Sequence, residues 1–250
     1  MDMIYIVIVF IFGLIFGSFF NVVGLRIPKG ESIVAPPSHC TSCGHQLKAF
    51  ELIPVFSYLF LRGRCRKCKT SVSLIYPAIE LATASLFTIS FLAVGWSKEL
   101  PLLLLFCSLL MIILVSDLAY MIISDKVLLF FGGCFLIYRL VFPAVPWWES
   151  YVGALVGFGV LFLIAVVSKG GMGGGDIKLF AVLGFVLGWQ LTLLTLFFAS
   201  FVGAVFGIIA IALKKAKRGQ PIPFGPFIVV GALVSLFVGE DLITWYWHQL

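Results

Sequence analysis

The chain has 250 residues, of which 62% are hydrophobic and only 11% are charged. Soluble domains carry about 25% charged residues, so this composition excludes an ordinary soluble protein. The mean hydropathy of +1.16 indicates a protein that folds in a bilayer. The net charge of +6 is spread over four separate polar segments, which argues against a nucleic-acid interface.

Apolar runs can cross a bilayer when they contain about 20 residues. Eight runs meet or approach this length, at 3–25, 76–95, 100–117, 126–145, 150–168, 177–188, 190–213 and 225–244. The sixth is short, and only Gly188-Trp-Gln190 separates it from the seventh, so the two form either a pair of spans or a re-entrant hairpin. The first run has no basic segment before it and no small-residue cleavage site, which predicts a retained helix. We therefore predict an all-α polytopic integral membrane protein with about eight transmembrane helices, or seven.

Basic residues predict the orientation of the spans, because loops that face the cytosol are enriched in Lys and Arg. With eight spans, fifteen of the 17 Lys and Arg residues fall on one side of the membrane, and Lys98 and Arg139 are the exceptions. The fifteen residues on the common side are Arg26, Lys29, Lys48, Arg62, Arg64, Arg66, Lys67, Lys69, Lys126, Lys169, Lys178, Lys214, Lys215, Lys217 and Arg218. We expect this side to face the cytosol and both termini to lie outside.

The first loop is the one long polar stretch, and it contains two CxxC motifs. The domain reading is a first helix at 1–25, a cytosolic loop at 26–75 and a membrane core at 76–250. The loop cysteines are Cys40, Cys43, Cys65 and Cys68. Each CxxC places two sulfurs on one ion from a tight turn, and two such knuckles form the tetrahedral site that suits zinc. We predict a small zinc-ribbon-like insertion whose closed S4 site is structural.

Other readings of the cysteines and histidines remain open. Two redox pairs or an unmetallated loop are the alternatives to zinc, although a redox CxxC normally belongs to a thioredoxin-like βαβ unit. His39 and His45 are interpreted as solvated side chains, since four cysteines suffice. Cys107 and Cys134 lie in predicted spans and are interpreted as small buried hydrophobic residues.

Two aspartates border apolar runs. Asp117 ends the run that begins at Leu100, and Asp176 closes a glycine-rich turn that begins at Gly170. About 17 residues at 1.5 Å each cover most of the hydrocarbon thickness, so both acids are predicted at the cytosolic boundary. Two carboxyls that meet in a partly dry site share one proton and perform acid/base chemistry. Asp125 is a third acid, expected to cap a helix or to orient the loop.

The glycines that precede Asp176 have two interpretations. Gly173, Gly174 and Gly175 permit close approach of another backbone and a mobile loop that admits substrate. The plainer interpretation is a flexible linker with Asp176 as a helix N-cap. A phosphate loop is disfavoured, because no Lys-Ser/Thr follows and an aspartate would repel the phosphate.

These residues together resemble the type IV prepilin peptidase family over nearly the whole chain. The resemblance rests on Gly17-Ser-Phe-Phe-Asn21-Val-Val-Gly-Leu-Arg26-Ile-Pro28, the double CxxC, Glu51-Leu-Ile-Pro54, Tyr76-Pro77-Ala-Ile-Glu80, Asp117 with Asp125, and Gly173-Gly-Gly-Asp176-Ile-Lys178. The last of these matches the GxGD motif of a class of membrane aspartyl proteases. Ser124 departs from the family pattern, which often has Pro at that position.

The resemblance implies a bacterial cytoplasmic-membrane enzyme that removes the basic leader from prepilins and pseudopilins at the cytosolic face. It implies Asp117 and Asp176 as the catalytic pair, and N-methylation of the new N-terminus by S-adenosylmethionine. Asn21, Arg26, Lys67 and Glu80 match the half of the family where methyl transfer is placed. The size and motif pattern resemble a Gram-positive, competence-type member. The basic loop is also expected to approach anionic membrane lipids.

Three rival functions remain open from the sequence. One keeps the peptidase and lacks the methyltransferase. Another is a cation transporter that uses the boundary aspartates, although transport sites tend to lie near the bilayer midplane. The third is an assembly factor that retains the fold without activity.

Overall fold

The computed structural model describes residues 3–144, 146–214 and 222–249. Within these residues it is all-helical. The helices are α1 (Met3–Arg26), α2 (Phe56–Phe60), α3 (Ile75–Val94), α4 (Leu100–Tyr120), α5 (Asp125–Val141), α6 (Glu149–Val167), α7 (Gly174–Ala212) and α8 (Gly225–Trp247). Short 3-10 turns occupy Ile27–Lys29 and Ala49–Leu52. The chain forms two compact units, residues 1–115 and 116–250.

Six of these helices are long and apolar enough to cross a membrane, namely α1, α3, α4, α6, α7 and α8. Helix α5 has 17 residues, which corresponds to about 26 Å and lies just below the length of a full span. The predicted class of polytopic α-helical membrane protein is confirmed. Three basic residues used to predict the orientation, Lys215, Lys217 and Arg218, lie outside the described residues.

The first unit is built on close contact between α1 and α3. A Cβ atom added at Gly13 would lie 2.5 Å from Ala84 Cα, and one added at Gly17 would lie 2.7 Å from Glu80 Cα. Backbones can approach this closely in a bilayer only where side chains are absent, because small residues give membrane helices their packing surface. Glycine at these positions therefore sets the distance between the two helices.

The long helix α7 is broken at Gly188, whose φ of 79° and ψ of 172° are not helical. A Cβ atom added at Gly157 of α6 would meet both the Phe180 carbonyl and, at 3.1 Å, Thr192 Cγ2. In one continuous helix these two residues would stand about 18 Å apart along the axis. The chain therefore turns back at Gly188, and the two halves of α7 lie side by side against α6.

Side chains supply hydrogen bonds to backbone groups on both sides of the break at Gly188. Arg139 Nη2 donates to the Val186 carbonyl oxygen at 3.0 Å, and Thr192 Oγ1 donates to the Gly188 carbonyl oxygen. A broken membrane helix requires such substitute partners, because the bilayer supplies none. The 39 residues of α7 thus fold back on themselves between the sixth and seventh apolar runs of the sequence.

The second half of α7 then packs antiparallel to α8. A Cβ atom added at Gly239 would lie 2.6 Å from Leu191 Cδ2, whereas one added at Gly203 would lie 3.1 Å from the Phe227 ring. The early part of this half therefore meets the late part of α8. This arrangement returns the chain to the face where α7 began, and α8 starts there at Gly225.

Candidate active site and metal centre

The four loop cysteines form one cluster in the first unit. Their sulfur atoms all lie within 4.8 Å of one another, with Cys40 Sγ to Cys68 Sγ at 3.7 Å and Cys43 Sγ to Cys65 Sγ at 4.0 Å. A tetrahedral zinc ion with Zn–S bonds of about 2.3 Å separates its sulfurs by roughly 3.8 Å. The residues therefore fit a metal ion with an S4 ligand set.

The two knuckles have the same local fold. Gly44 donates its N–H to the Cys40 carbonyl oxygen at 2.9 Å, and Lys69 donates its N–H to the Cys65 carbonyl oxygen at 3.0 Å. Both donors have left-handed backbone angles, with φ of 67° at Gly44 and 61° at Lys69. Glycine adopts this region without steric cost, whereas lysine does not. Gly63, two residues before Cys65, also has a left-handed φ of 65°, and a Cβ atom added there would lie 2.7 Å from Tyr58 Oη.

Hydrogen bonds within the knuckles favour ionised sulfur at two of the four cysteines, whereas burial and the other three sulfurs raise the pKa of Cys43 to about 11. The hydroxyl and backbone N–H of Thr70 lower the pKa of Cys68 to about 6. Backbone N–H groups of Cys43 and Ser42 lower the pKa of Cys40. Thiolate is the form that binds a metal, so these contacts prepare two of the four ligands for it.

A buried carboxylate braces the first knuckle. Glu51 is 6% exposed, and its Oε2 accepts the Lys48 N–H at 2.9 Å and faces His45 Nε2 at 3.2 Å. The Lys48 N–H, with help from the positive side chains nearby, lowers the pKa of Glu51. The interpretation of His45 as a solvated side chain is therefore wrong, because its Nε2 contacts the carboxylate of the buried Glu51.

In the second unit, Asp117 lies in the last turn of α4 and is 5% exposed. Its Oδ2 accepts a hydrogen bond from the Gly225 N–H at 2.7 Å. Gly225 is the first residue of α8. Helix packing thus places a backbone donor against this acid across 108 residues of sequence.

Asp176 lies in the first turn of α7, after the glycine-rich turn. The N-cap of α7 is Gly173, so Asp176 is not the cap itself. Its Oδ2 would lie 3.0 Å from a Cβ atom added at Gly173, and a Cβ atom added at Gly175 would lie 2.8 Å from Ile123 Cβ. Glycine at 173 leaves room for the carboxylate, and glycine at 175 lets the segment before α5 approach the loop. Nothing lies within 4 Å of a Cβ atom added at Gly174.

The two aspartates come together in the same unit. They are close enough for the negative charge of Asp117 to act on Asp176. Both lie at helix ends, one at the end of α4 and the other at the start of α7. Both carboxyls thus lie in one part of the second unit, and their direct contact stays a prediction from the sequence.

An ion pair fixes the edge of this site. Lys178 Nζ donates to both carboxylate oxygens of Asp125, at 2.9 and 2.7 Å. The N-cap of α5 is Ser124, and Asp125 is its first residue. The expected capping role of Asp125 is therefore wrong by one position, while its expected orienting role has a partner in Lys178, two residues after Asp176.

The four residues associated with methyl transfer fall into two groups. Asn21 and Glu80 are buried, at 3% and 7% exposure. Asn21 Nδ2 donates to the carbonyl oxygens of Gly17 and Tyr76, each at 3.2 Å. Arg26 instead binds the Ser32 carbonyl oxygen at 3.0 Å, and Lys67 is exposed. Only Asn21 and Glu80 belong to one packed cluster.

Two features of these sites escaped the sequence reading. The sequence marked Gly225 only as the first residue of the last apolar run. The proline that follows it is typical of a helix start, which was the available signal for a free backbone N–H at this position. Val55 was not singled out, yet it has a φ of 62° and a ψ of −51°, and its N–H binds Glu80 Oε2 at 2.7 Å. A β-branched residue in this region is a conformational outlier, and the sequence carried no signal for it.

Comparison with known proteins agrees with this arrangement. Residues 11–94 match the model of the bacterial peptidase A24 N-terminal domain, and residues 104–208 match that of the type IV leader peptidase family. A Bacillus subtilis protein named prepilin leader peptidase/N-methyltransferase is 43% identical, with 96% of each chain covered. Proteins of the same name from Aeromonas salmonicida and Aeromonas hydrophila are 34% and 36% identical, each over 97% of this chain and 94% of theirs. No solved structure matches.

The match thus extends over both halves of the chain and includes the segment that contains Asp117 and Asp176. The chain belongs to the type IV leader peptidase family.

Proposed function

We propose that this protein cleaves the leader from prepilins and pseudopilins and then N-methylates the new N-terminus. Its relatives are named for both activities. The proposed setting is the bacterial cytoplasmic membrane, with the aspartates toward the cytosol and the basic loop near membrane lipids. The proposed role is that of a competence-type member, as the resemblance of the sequence implies.

The observation that carries the peptidase proposal is the pairing of Asp117 and Asp176. Asp117 is buried, Asp176 is half-buried, and the negative charge of Asp117 acts on Asp176. Two carboxyls so placed hold one proton between them, because a second ionisation beside the first is unfavourable. This charge state is the one that an aspartyl protease uses.

The chemistry follows from that charge state. The ionised carboxylate takes a proton from a water molecule, whose oxygen bonds to the scissile carbonyl carbon. The protonated carboxyl gives its proton to the carbonyl oxygen, and collapse of the tetrahedral species breaks the C–N bond. A prepilin has a basic cytosolic leader followed by an apolar helix, so its cleavage point lies at the membrane boundary. Asp117 and Asp176 lie at helix ends, where such a boundary would meet them.

Zinc is proposed as a structural ion held by Cys40, Cys43, Cys65 and Cys68. Four thiolates complete a tetrahedral ion and leave no position for substrate. The loop is too small to form a large core of its own, so a bound ion would supply much of its stability.

For methyl transfer we propose the cluster of Asn21 and Glu80, with Arg26 and Lys67 as outer residues of the same half. Glu80 holds the strained backbone of Val55, where the Phe56 N–H also reaches back to the Pro54 carbonyl oxygen. Strained backbone persists where the surroundings impose it, and it is frequent at functional sites.

S-adenosylmethionine is the proposed co-substrate and supplies a methyl group on a sulfonium. The amine nitrogen of the cleaved pilin bonds to that methyl carbon, and the C–S bond breaks with its electron pair left on sulfur. The new ammonium must then lose a proton. A buried carboxylate at the membrane boundary, such as Glu80, is suited to accept it.

The peptidase proposal is tested by adding a prepilin to membranes that contain the wild type, Asp117→Asn or Asp176→Asn, and measuring product mass. We expect each variant to lose leader cleavage by at least about 1000-fold, because either change removes the shared proton system. Asp241→Asn, an exposed acid of α8, is the matched control and should cleave normally. Normal cleavage by either active-site variant would disprove the pair. If the wild type itself cleaves none of the prepilins tested, the transporter or the assembly factor becomes the favoured interpretation.

The methyl-transfer proposal is tested in the same reactions with S-adenosylmethionine present. Glu80→Gln should remove the leader at a normal rate but leave the product without the added methyl mass. Thr83→Ala is the matched control, since Thr83 is buried on the same helix and its hydroxyl donates to the Ile79 carbonyl oxygen of that helix. Full methylation by Glu80→Gln would remove Glu80 from the proposal. A wild type that cleaves without methylating would establish the peptidase-only reading.

A further inference from the structure

We propose that the backbone N–H of Gly225 positions Asp117 as the ionised member of the pair, so that Asp117 is the base and Asp176 the acid. The proposal rests on the peptidase function above and assigns the two chemical roles that the pairing alone leaves equivalent. It makes Gly225 a positioning residue that acts through Asp117.

The first observation is the direct contact. Gly225 N–H donates to Asp117 Oδ2 at 2.7 Å, and both residues are buried. A hydrogen bond from an N–H to a carboxylate is short and stronger than one between neutral groups. It stabilises the charged form of the acceptor, because only the charged oxygen accepts it fully.

The second observation is the absence of room for a side chain. A Cβ atom added at Gly225 would lie 2.6 Å from Asp117 Oδ2 and 2.8 Å from both Cβ and Cγ of the same residue. Contacts below 3.0 Å require a displacement. Here it would fall on a carboxylate that is held inside a helix and has little freedom to move. Glycine at 225 thus allows the acid to reach the backbone donor.

The third observation is the place of this donor in α8. The first N–H groups of a helix have no acceptor within the helix, and Gly225 opens α8 with Pro226 directly after it. Phe227 and Ile228 use the Phe224 carbonyl oxygen, so the Gly225 N–H is left to donate to Asp117. The positive end of the α8 dipole then faces the carboxylate and favours its negative charge.

The surroundings of Asp176 stabilise its ionised form less than those of Asp117. It also lies in the first turn of a helix and close to the backbone of Gly173. However, Gly173 belongs to an exposed loop, whereas Gly225 is buried. The nearby cation Lys178 is already bound by Asp125, and the charged group that acts on Asp176 is Asp117. A charge fixed on Asp117 therefore retains the shared proton on Asp176.

The roles in cleavage follow from this assignment. Asp117 takes the proton of the attacking water as the O–C bond forms, and Asp176 protonates the carbonyl oxygen. When the C–N bond breaks, Asp117 returns its proton to the leaving nitrogen, and Asp176 recovers its proton from the new carboxyl group. No other reactant is required.

The test compares single-turnover cleavage of a prepilin across pH for three full-length variants in proteoliposomes. Gly225→Ala displaces Asp117. Replacement of Gly225 by glycolic acid exchanges the N–H for an oxygen and adds no bulk. Gly239→Ala, in the same helix as Gly225, is the matched control, because an added Cβ there would lie 2.6 Å from Cδ2 at the flexible end of the Leu191 side chain.

We expect Gly225→Ala to slow cleavage about 100-fold and the ester variant about 10-fold. In both, the acid limb of the pH profile should move to higher pH by about one unit, because ionised Asp117 becomes less favourable. Gly239→Ala should keep the wild-type profile, and all three should methylate an already cleaved peptide. An ester variant with the wild-type rate, or slower cleavage with an unmoved acid limb, would overturn the proposal. Cleavage by Asp117→Asn would instead overturn the peptidase assignment itself.

Discussion

The four cysteines of residues 40–68 and the carboxyls of Asp117 and Asp176 are held by contacts of very different range. Each knuckle closes within a few residues, through hydrogen bonds such as those from Gly44 to Cys40 and from Lys69 to Cys65. Asp117 instead depends on a donor 108 residues away. The cysteine cluster is thus a local structure, whereas the site of Asp117 and Asp176 exists only after α4, α7 and α8 have packed.

This difference shows why the two sites tolerate change differently. A local site fails when one of its own ligands or turn residues is lost. A site built by helix packing also fails when a distant glycine gains a side chain, because membrane helices reach such contact only through small residues. The following four predictions test that distinction, from the largest expected effect to the smallest.

Loss of one ligand should abolish metal binding. In Cys65→Ser the zinc content should fall from about one ion per chain to near zero, and residues 38–72 should become sensitive to protease, because structural zinc contributes on the order of 10 kcal/mol. Elemental analysis and limited proteolysis measure the two effects. Cys134→Ser in α5 is the control and should retain the metal. A metal-free Cys65→Ser protein with an unchanged protease pattern would contradict the local role of the ion.

A side chain in the α6–α7 contact should unfold the second unit. A Cβ atom added at Gly153 would strike the backbone of Gly184 and would lie 2.8 Å from Gly188 Cα, so Gly153→Ala should cost about 3 kcal/mol or more. Thermal unfolding in detergent measures this loss. Gly159→Ala on the same helix has nothing within 4 Å and should be neutral or slightly stabilising. Equal stability of the two variants would show that close backbone contact does not hold the aspartate site together.

Removal of the buried charge at Glu51 should destabilise the cysteine-containing loop, residues 38–72. Glu51→Gln should cost about 1–3 kcal/mol at neutral pH, because the Lys48 N–H and His45 lose a charged partner. The folded-state pKa of Glu51 is lowered. Its contribution is therefore complete above the unfolded value of about 4.3 and disappears only as the pH falls through the folded value.

The stability difference between wild type and Glu51→Gln should consequently not decrease as the pH falls from about 7.5 to 5. Protease protection of residues 38–72, measured with zinc in excess, gives this difference. If it disappears within that interval, Glu51 takes up a proton above its ordinary range, contrary to the contacts described.

The smallest expected effect is a gain in the stability of the cysteine-containing loop. Lys69 has a φ of 61° in the position where the first knuckle has Gly44, so Lys69→Gly should stabilise this loop by about 0.5 kcal/mol through relief of left-handed strain. Lys67→Gly in the same knuckle is the control and should be slightly destabilising, because Lys67 has no positive φ. Chemical unfolding of the zinc-loaded chain separates the two, and a loss of stability in Lys69→Gly would show that the side chain matters more than the backbone.

The sequence predicted the two aspartates but not the backbone donor, Gly225, that contacts Asp117. Asp117 and Asp176 stood out because an ionisable residue beside an apolar run is costly in a membrane. Gly225 did not, because a backbone N–H has no sequence signature and its acceptor lies on another helix. The hairpin at Gly188 stayed one of two alternatives, since its geometry depends on packing against Gly157 and on the bond from Arg139 to Val186.

By itself, the sequence determined the membrane class, the apolar crossings and the four-cysteine set, because composition, run length and CxxC spacing are properties of short stretches of chain. The tertiary structure alone decided that α7 folds back on itself, that Asp125 binds Lys178, and that Gly225 meets Asp117. Each of these depends on how closely two backbones approach. That distance is set by side chains from separate helices acting together, and no single segment encodes it.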